Sequence, residues 1–480
     1  MIDRRSLLKL AGVAPAVAAL PRTTLAQQDA ERPDYTLRIA PGLVELSPDH
    51  IVSTTLYNGQ FPGPLIRIQE GKRFVVDVYN DTDVPELVHW HGQMIPSDVD
   101  GASEEGTPFI APHEMRRIAF TPKPAGFRFV HTHVPAYGDL NRGTYTGQAA
   151  PVYIEPAKSP GAYDSEVFLV LKEFEPVFSQ GGDMPQHALV GTPLPALQQM
   201  GNQLDQQFRG PKGYEVGSEL FSINGKQLGH GEPIRVKPGD RVLFHILNAS
   251  AGEIRSLALP GHVFHVVALD GNPVPIPADV PVLWLGTAER ISAIVDMNHP
   301  GVWVMGDLAE DDRKHGMGIV VEYAGRSGKP QWAKPAPFRW DYTHFGQPGG
   351  QPAKPDETIE ITVVKHNAED HGFNRWLLNG ESFSMQTMKP TYSVQQGKRY
   401  RLRFHNASDD IHPLHLHRHS FELVHIGGKP TAGVIKDVVM LGGYQDVEFD
   451  FVADNPGLTL FHCHQQLHMD FGFIALLRYT

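Results

Sequence analysis

Gly71-Lys-Arg-Phe-Val-Val-Asp-Val-Tyr-Asn80 is the first of three versions of one segment. It returns as Gly239-Asp-Arg-Val-Leu-Phe-His-Ile-Leu-Asn248 and as Gly397-Lys-Arg-Tyr-Arg-Leu-Arg-Phe-His-Asn406. An Asn-Gly pair precedes each copy, at Asn58-Gly59, Asn224-Gly225 and Asn379-Gly380. A second block follows each one: Gly126-Phe-Arg-Phe-Val, Gly301-Val-Trp-Val-Met and Gly457-Leu-Thr-Leu-Phe. The copies begin 168 and 158 residues apart, too far for a solenoid period, so the chain reads as three tandem domains of one fold. Within them apolar residues alternate, as in Phe74, Val76 and Val78, and turn residues bound short runs. That pattern predicts an all-β fold of antiparallel strands in sandwiches or barrels.

Outward from the repeats, the expected organisation is a leader at 1–26, domain one at 27–158, domain two at 159–324 and domain three at 357–480. Residues 325–356 hold six Pro and five Gly and read as an extended linker. The stretch 176–219 breaks the β pattern. Leu197, Met200, Leu204 and Phe208 recur at helical spacing, and the helix is expected to cap domain two, with a wall of a substrate cleft as the alternative. The sequons at Asn80, Asn248 and Asn406 occupy one repeat position and are read as shared turn chemistry.

Composition narrows the function. The net charge of −12 argues against a phosphate-backbone grip on nucleic acid. One cysteine excludes an intramolecular disulfide and every multi-cysteine metal framework. The N-terminus carries Arg4-Arg5, an apolar run to Leu20 and a small residue at Ala26, the pattern of a Tat-type signal. That run is too short to span a membrane, so the expectation is a monomer, periplasmic or otherwise exported, without a membrane span.

The histidines sort by repeat. Nine and eleven residues after the repeat Asn stand His89 and His91 in copy one, and His415 and His417 in copy three. Copy three adds His412 at the sixth position. Copy two has Ile254, Leu257 and Leu259 at those places. Five residues after the second Gly come His131-Thr132-His133 and His462-Cys463-His464, against Gly306-Asp307-Leu308 in copy two. Histidines kept for packing would not divide this way. In a strand, residues i and i+2 share a face, so each His-x-His offers two imidazoles to one spot. If copies one and three pack face to face, eight imidazoles converge on a multi-metal cluster. Cys463 points the other way, where His412 and His468 can join it, and a His₂Cys set selects copper. The remaining histidines are read as surface or core residues, with His419 and His425 nearest the site in sequence.

These four stretches, His-Trp-His-Gly (89–92), His-Thr-His (131–133), His-Pro-Leu-His-Leu-His (412–417) and His-Cys-His-x₃-His (462–468), resemble the three-domain multicopper oxidases, the family of laccases and cuprous oxidases. The resemblance implies three cupredoxin domains, the middle one without copper, and four copper ions per chain. It places type 1 copper on His412, Cys463 and His468, and type 2 on His89 and His415. The type 3 pair falls to His91, His131, His133, His417, His462 and His464. Cys463 then carries electrons toward the cluster, and Asp100 matches a family acid that assists proton delivery. The implied reaction couples one-electron oxidation of a small donor to reduction of dioxygen to water.

Three positions depart from the family pattern. Phe473 stands where many members have an axial Met, Arg418 replaces a Gly, and Met469 replaces an acid, with Asp470 beside it. The Arg418 guanidinium is expected to line the substrate approach or reach solvent. The twelve Met are scattered rather than gathered in an insertion, which favours a laccase-like oxidase of phenols or aromatic amines. Metal-ion (cuprous) oxidation in copper tolerance is the alternative. A copper-free cupredoxin envelope or division protein and a two-domain nitrite reductase fit the ligand set and the three repeats less well.

Overall fold

The computed structural model describes residues 32–156, 161–180, 194–207 and 211–480. The leader expected at 1–26 and Phe208 of the helical pattern lie outside the described residues. The fold is all-β, with tandem cupredoxin-type β-sandwich units and little helix.

Each repeat begins with the same turn for the same reason. Asn58, Asn224 and Asn379 hold φ of 50°, 52° and 52°, and each following Gly also has positive φ, the hairpin turn that Asn-Gly favours. Each Asn side chain then binds a neighbouring strand, accepting from the backbone N–H of Arg38, Val170 or Thr362. The repeat Asn at the far end of each segment is equally regular. Asn80, Asn248 and Asn406 are fully buried and donate their amides to carbonyls of Ile110, Leu285 and Gly442, among others. A buried amide so occupied ties the outgoing loop to the sheet, which is why one residue type recurs at this point.

In the first unit, one sheet runs His50–Tyr57, Tyr35–Ser47, Phe74–Asn80, Met115–Phe120, and the facing sheet Ile66–Gln69, Ala149–Glu155, Gly126–His131, His89–His91. The second and third units share a twelve-stranded sheet, joined where Tyr214 pairs with Phe373. The facing sheet of the third unit contains the neighbouring strands His412–Leu416 and Leu458–Cys463. The predicted alternation of burial survives along Arg399–Asn406, whereas Phe74–Asn80 and Arg241–Asn248 are covered on both faces. In the middle unit Ile254, Leu257 and Leu259, which replace imidazoles, are buried in the apolar core.

Three expectations need correction or completion. The helix Pro195–Gln207 sits on the third unit, not as a cap on the second. A Cβ at Gly201 would lie 2.5 Å from the Ala407 carbonyl oxygen, and Leu194 donates its N–H to Tyr444. The reason is the long strand pair on either side of the helix, Ser165–Gln180 with Tyr214–Ile223, whose end at Gln180 and Tyr214, from which the helical segment departs, reaches the third unit at Phe373. The Pro/Gly-rich segment 325–356 is irregular but anchored, with Trp340, Tyr342 and Phe345 buried in the core. Arg418 neither lines a substrate approach nor reaches solvent. It is 1% exposed and donates to carbonyls of Ile95, Leu458, Asn455 and Pro456, and to the hydroxyl of Thr459. Its φ of 58° lies in the left-handed region, which explains why Gly suits this position.

Truncating Arg418 would strand several buried carbonyls at once. Arg418→Ala is expected to cost on the order of 3 kcal/mol or more in denaturant unfolding, and Arg418→Lys, lacking the fork, is expected not to restore it.

Candidate metal centre

Strand register assembles the site. In the first unit His89 pairs across the sheet with His131, and in the third His415 pairs with His462. The two pairs of strands face each other, so imidazoles from both ends of the chain meet. His89 Nε2 lies 3.5 Å from His415 Nε2, and His133 Nε2 lies 3.5 Å from His462 Nε2. His417 Nε2 is 3.0 Å from His462 Nε2, and His91 Nδ1 is 3.4 Å from His131 Nε2. The His464 ring centroid is 5.1 Å from that of His131 and 5.2 Å from that of His91. All eight rings are buried.

What each ring does with its other nitrogen decides what the centre can hold. His89 Nδ1 donates to the Asp100 carbonyl at 2.8 Å, and His131 Nδ1 to that of Thr132 at 2.8 Å. His415 Nδ1 donates to the Asp437 carbonyl and His462 Nδ1 to the Cys463 carbonyl, both at 2.8 Å. His417 Nδ1 donates to Asp100 Oδ2 at 2.8 Å. A carbonyl can only accept, so these rings carry their proton on Nδ1 and present a bare Nε2 inward. His91 is reversed: its Nε2 faces Asp437 Oδ1 at 3.1 Å and its Nδ1 faces the centre. Lone pairs converging at such distances repel one another unless a cation lies among them. The donor set therefore fits metal ions, and imidazole suits copper. Groups able to hold an ion include His89 with His415 and His417, and His133 with His417 and His462.

Backbone shape at two glycines lets the ligands approach. Gly92 (φ +76°) follows His91, and a Cβ there would lie 2.6 Å from Asp437 Oδ2. Gly101 (φ +102°) follows Asp100, and a Cβ would lie 2.0 Å from the Val88 carbonyl oxygen. Both are dictated by the closeness of the chains rather than by turn propensity.

A second group lies behind Cys463. Its Sγ is 3.6 Å from His412 Nδ1 and 3.6 Å from His468 Nδ1, and those nitrogens are 3.2 Å apart. His412 Nε2 meets the Ser408 hydroxyl at 3.2 Å, and that hydroxyl donates to Asn406 Oδ1, so the repeat Asn also steadies this ring. Trp376 packs against both imidazoles, with centroids 4.6 and 4.4 Å from them. Phe473 is fully buried with its ring 4.8 Å from His412. His468 Nε2 turns outward to Glu215 Oε2 at 3.5 Å, at a cleft of about 160 Å³ lined by Glu215, Gly217, Glu253, Gln465, Leu467 and His468.

Sequence reasoning missed Glu105, and it named Asp470 and Met469 without their surroundings. Glu105 is buried with Oε1 3.8 Å from His417 Nδ1, and burial, with the Asp100 carboxylate adding to it, holds its carboxyl well above the usual range. Asp470 accepts from the N–H groups of Ala136 and Tyr137, and burial pushes it up to about 7. Met469 lies in a small apolar cluster with Ala102, Leu460 and Ile474. Asp437 and Arg290 were also missed, although a charged residue inside an apolar run (Val434-Ile-Lys-Asp-Val-Val439) is a readable signal. His419 bonds Tyr479 and the His417 carbonyl, and His425 lies beside Glu448.

Multicopper oxidase profiles match residues 42–159, 197–322 and 352–480. The chain is 31% identical to multicopper oxidase MmcO of Mycobacterium tuberculosis over 92% of this chain and 86% of that one. It is 24% identical to laccase-2 of Fomitopsis schrenkii, covering 90% and 87%. Among solved structures it resembles a multicopper oxidase from Pseudomonas thermotolerans (TM-score 0.68, 23% identity, 93% and 98% covered). It also resembles Fet3p, described as a multicopper oxidase that functions in iron import (TM-score 0.74, 18% identity, 93% and 90% covered). With three matching profiles that together cover most of the chain, this chain belongs to the multicopper oxidase family. It is an oxidoreductase of that family. Among the described residues no helix is long and apolar enough to cross a membrane.

Burial holds His91, His131, His133, His412, His415, His417, His462 and His464 well below the ordinary imidazole pKa. In the metal-free protein the unfolded chain then binds more protons below about pH 6.5 than the folded one. Stability is thus full above that pH and lost as pH falls through it, by up to about 1.4 kcal/mol per pH unit for each such imidazole. Thermal unfolding of metal-free protein between pH 7 and 5 is expected to show a steep fall in Tm.

Proposed function

We propose that this protein is a laccase-like oxidase of phenols or aromatic amines, with about four coppers held by the ligands named above. His412, Cys463 and His468 would hold a type 1 copper, and His89 and His415 a type 2 copper. His91, His131, His133, His417, His462 and His464 would hold a type 3 pair. The observation that carries this reading is the inward convergence of bare imidazole nitrogens from both ends of the chain. Copper bound there supplies one-electron oxidation at the outer site and reduction of dioxygen to water at the inner one.

The chain's own groups divide the remaining work. Cys463 lies between His462 and His464 in sequence, so the backbone links the two centres. His468 offers its outer edge to the cleft, where a donor can approach while the cluster stays enclosed. Glu215 at that edge suits a phenolic O–H or an anilinium N–H as a charged acceptor. Among the described residues no methionine lines the cleft, and soft thioethers are what would select cuprous ion. Asp100, whose Oδ2 contacts His417 and lies 3.2 Å from His89 Nδ1, is placed to hold a proton beside the cluster. Phe473 fills the side of the type 1 site with a ring that cannot coordinate, leaving three ligands there. The twin-arginine leader supports export before function.

Copper analysis of the loaded protein is expected to give about four ions per chain, and Cys463→Ser to abolish the blue thiolate-to-copper absorption and all donor oxidation. A variant that stays blue would refute the type 1 assignment. A donor screen under air, with phenols, aromatic amines, ferrous and cuprous ions side by side, tests the substrate class. Turnover of metal ions alone would favour the metal-oxidase reading. Glu215→Gln is expected to raise KM for phenols and amines about tenfold, the worth of one charge-assisted hydrogen bond, with the blue absorption unchanged.

A further inference from the structure

The cluster is bordered by buried charges drawn from all three repeats. Asp437, just before the strand Val438–Leu441, is fully buried. Through its Oδ1 it holds His91 Nε2, and through its main-chain carbonyl it holds His415 Nδ1. Arg290 of the middle repeat grips both carboxylate oxygens, Nη1 to Oδ1 at 2.7 Å and Nη2 to Oδ2 at 2.6 Å. Arg128 of the first repeat adds a bond to Oδ2 at 3.1 Å.

Arg290 is itself fixed. It donates to the carbonyls of Ala288 and Asp270, and its backbone N–H donates to Asp270 Oδ1. Asp270 is shared with Lys436 at 2.9 Å, and Lys436 also meets Glu289 at 3.0 Å. Arg128, Arg290 and Lys436 thus face Asp270, Glu289 and Asp437, and the charges balance.

A buried ion network is rarely the most stable way to fill such a space, because apolar side chains of equal volume do as well or better. Its geometry is then the property to explain. A metal-bound imidazole is oriented by the acceptor on its other nitrogen. A bidentate guanidinium fixes the plane of the carboxylate it holds, which a single ammonium does not. His91 is the reversed ring of the cluster, and the carboxylate that receives its Nε2 is the one this fork holds.

We propose that Arg290, contributed by the repeat that lacks imidazole pairs, is a positioning residue for the cluster: through Asp437 it fixes the rings of His91 and His415. The proposal rests on copper at the cluster, as proposed above. It gives the middle repeat a part in the metal centre beyond joining its neighbours.

Arg290→Lys keeps the charge and removes the fork. The loaded variant is expected to show wild-type blue absorbance per chain but to lose close to one copper, with the type 2 electron paramagnetic resonance signal most reduced. That copper has only His89 and His415 from the protein, so it depends most on His415. Lys436→Met removes a charge from the same network without touching the Asp437 carboxylate, and is expected to lower Tm while keeping full copper. Full copper in Arg290→Lys, or the same copper loss in Lys436→Met, would overturn the proposal in favour of a merely structural network. Neutron diffraction from copper-loaded wild-type crystals needs no variant. A deuteron on His91 Nε2 directed at Asp437 is expected, and a deuteron on Nδ1 overturns the proposal. Wild-type protein that fails to fill the cluster would count against the oxidase reading instead, and is measured before any variant is made.

Discussion

Lone pairs of neutral imidazoles pointing at one another across about 3 Å are the constraint on which the rest of this structure depends. Left to themselves such rings would turn, take up protons or admit water. Six of them are held by an acceptor on the far side, a backbone carbonyl for His89, His131, His415 and His462 and a carboxylate for His91 and His417. The β-sandwich is suited to this task because its strands hold these carbonyls from beside them: Trp90 donates its N–H to the Asp100 carbonyl and Leu416 to that of Asp437. The same register that pairs His89 with His131 and His415 with His462 also holds the acceptors that orient them.

Packing between repeats completes the arrangement. Two of the ligand pairs come from the first repeat and two from the third, so the centre exists only where the ends of the chain meet. Arg418 secures that meeting on one side, donating to Ile95 of the first repeat and to backbone carbonyls of the third. The charge network around Asp437 secures it on another and brings in the middle repeat. Where the middle repeat gave up imidazoles it gained Ile254, Leu257 and Leu259, and with them an apolar core continuous with that of the third.

The outer site follows a different logic. It lies within one repeat, built from a strand, its neighbour and the short helix Gln466–Asp470. Trp376 and Phe473 close it with rings, and the edge of His468 meets Glu215 at the cleft. The cluster is enclosed, whereas the outer group borders a cleft through His468.

The sequence by itself determined the repeat, the all-β class and which histidines and cysteine gather into clusters. Those features are local: an Asn-Gly turn, a period-two strand and a His-x-His pair each express themselves within a few residues. Comparing copies then separated the clustering histidines from packing residues, because equivalent positions share a fold and differ in chemistry. What needed tertiary structure were the partners brought from afar. Nothing near Asp437 announces Arg290 from 147 residues earlier, nothing near Arg418 announces the Ile95 carbonyl, and the helix Pro195–Gln207 shows no preference in its own residues for the third unit. These contacts are set by how the sandwiches lie against one another, and a side chain's local sequence carries no record of which distant chain will complete its hydrogen bonds.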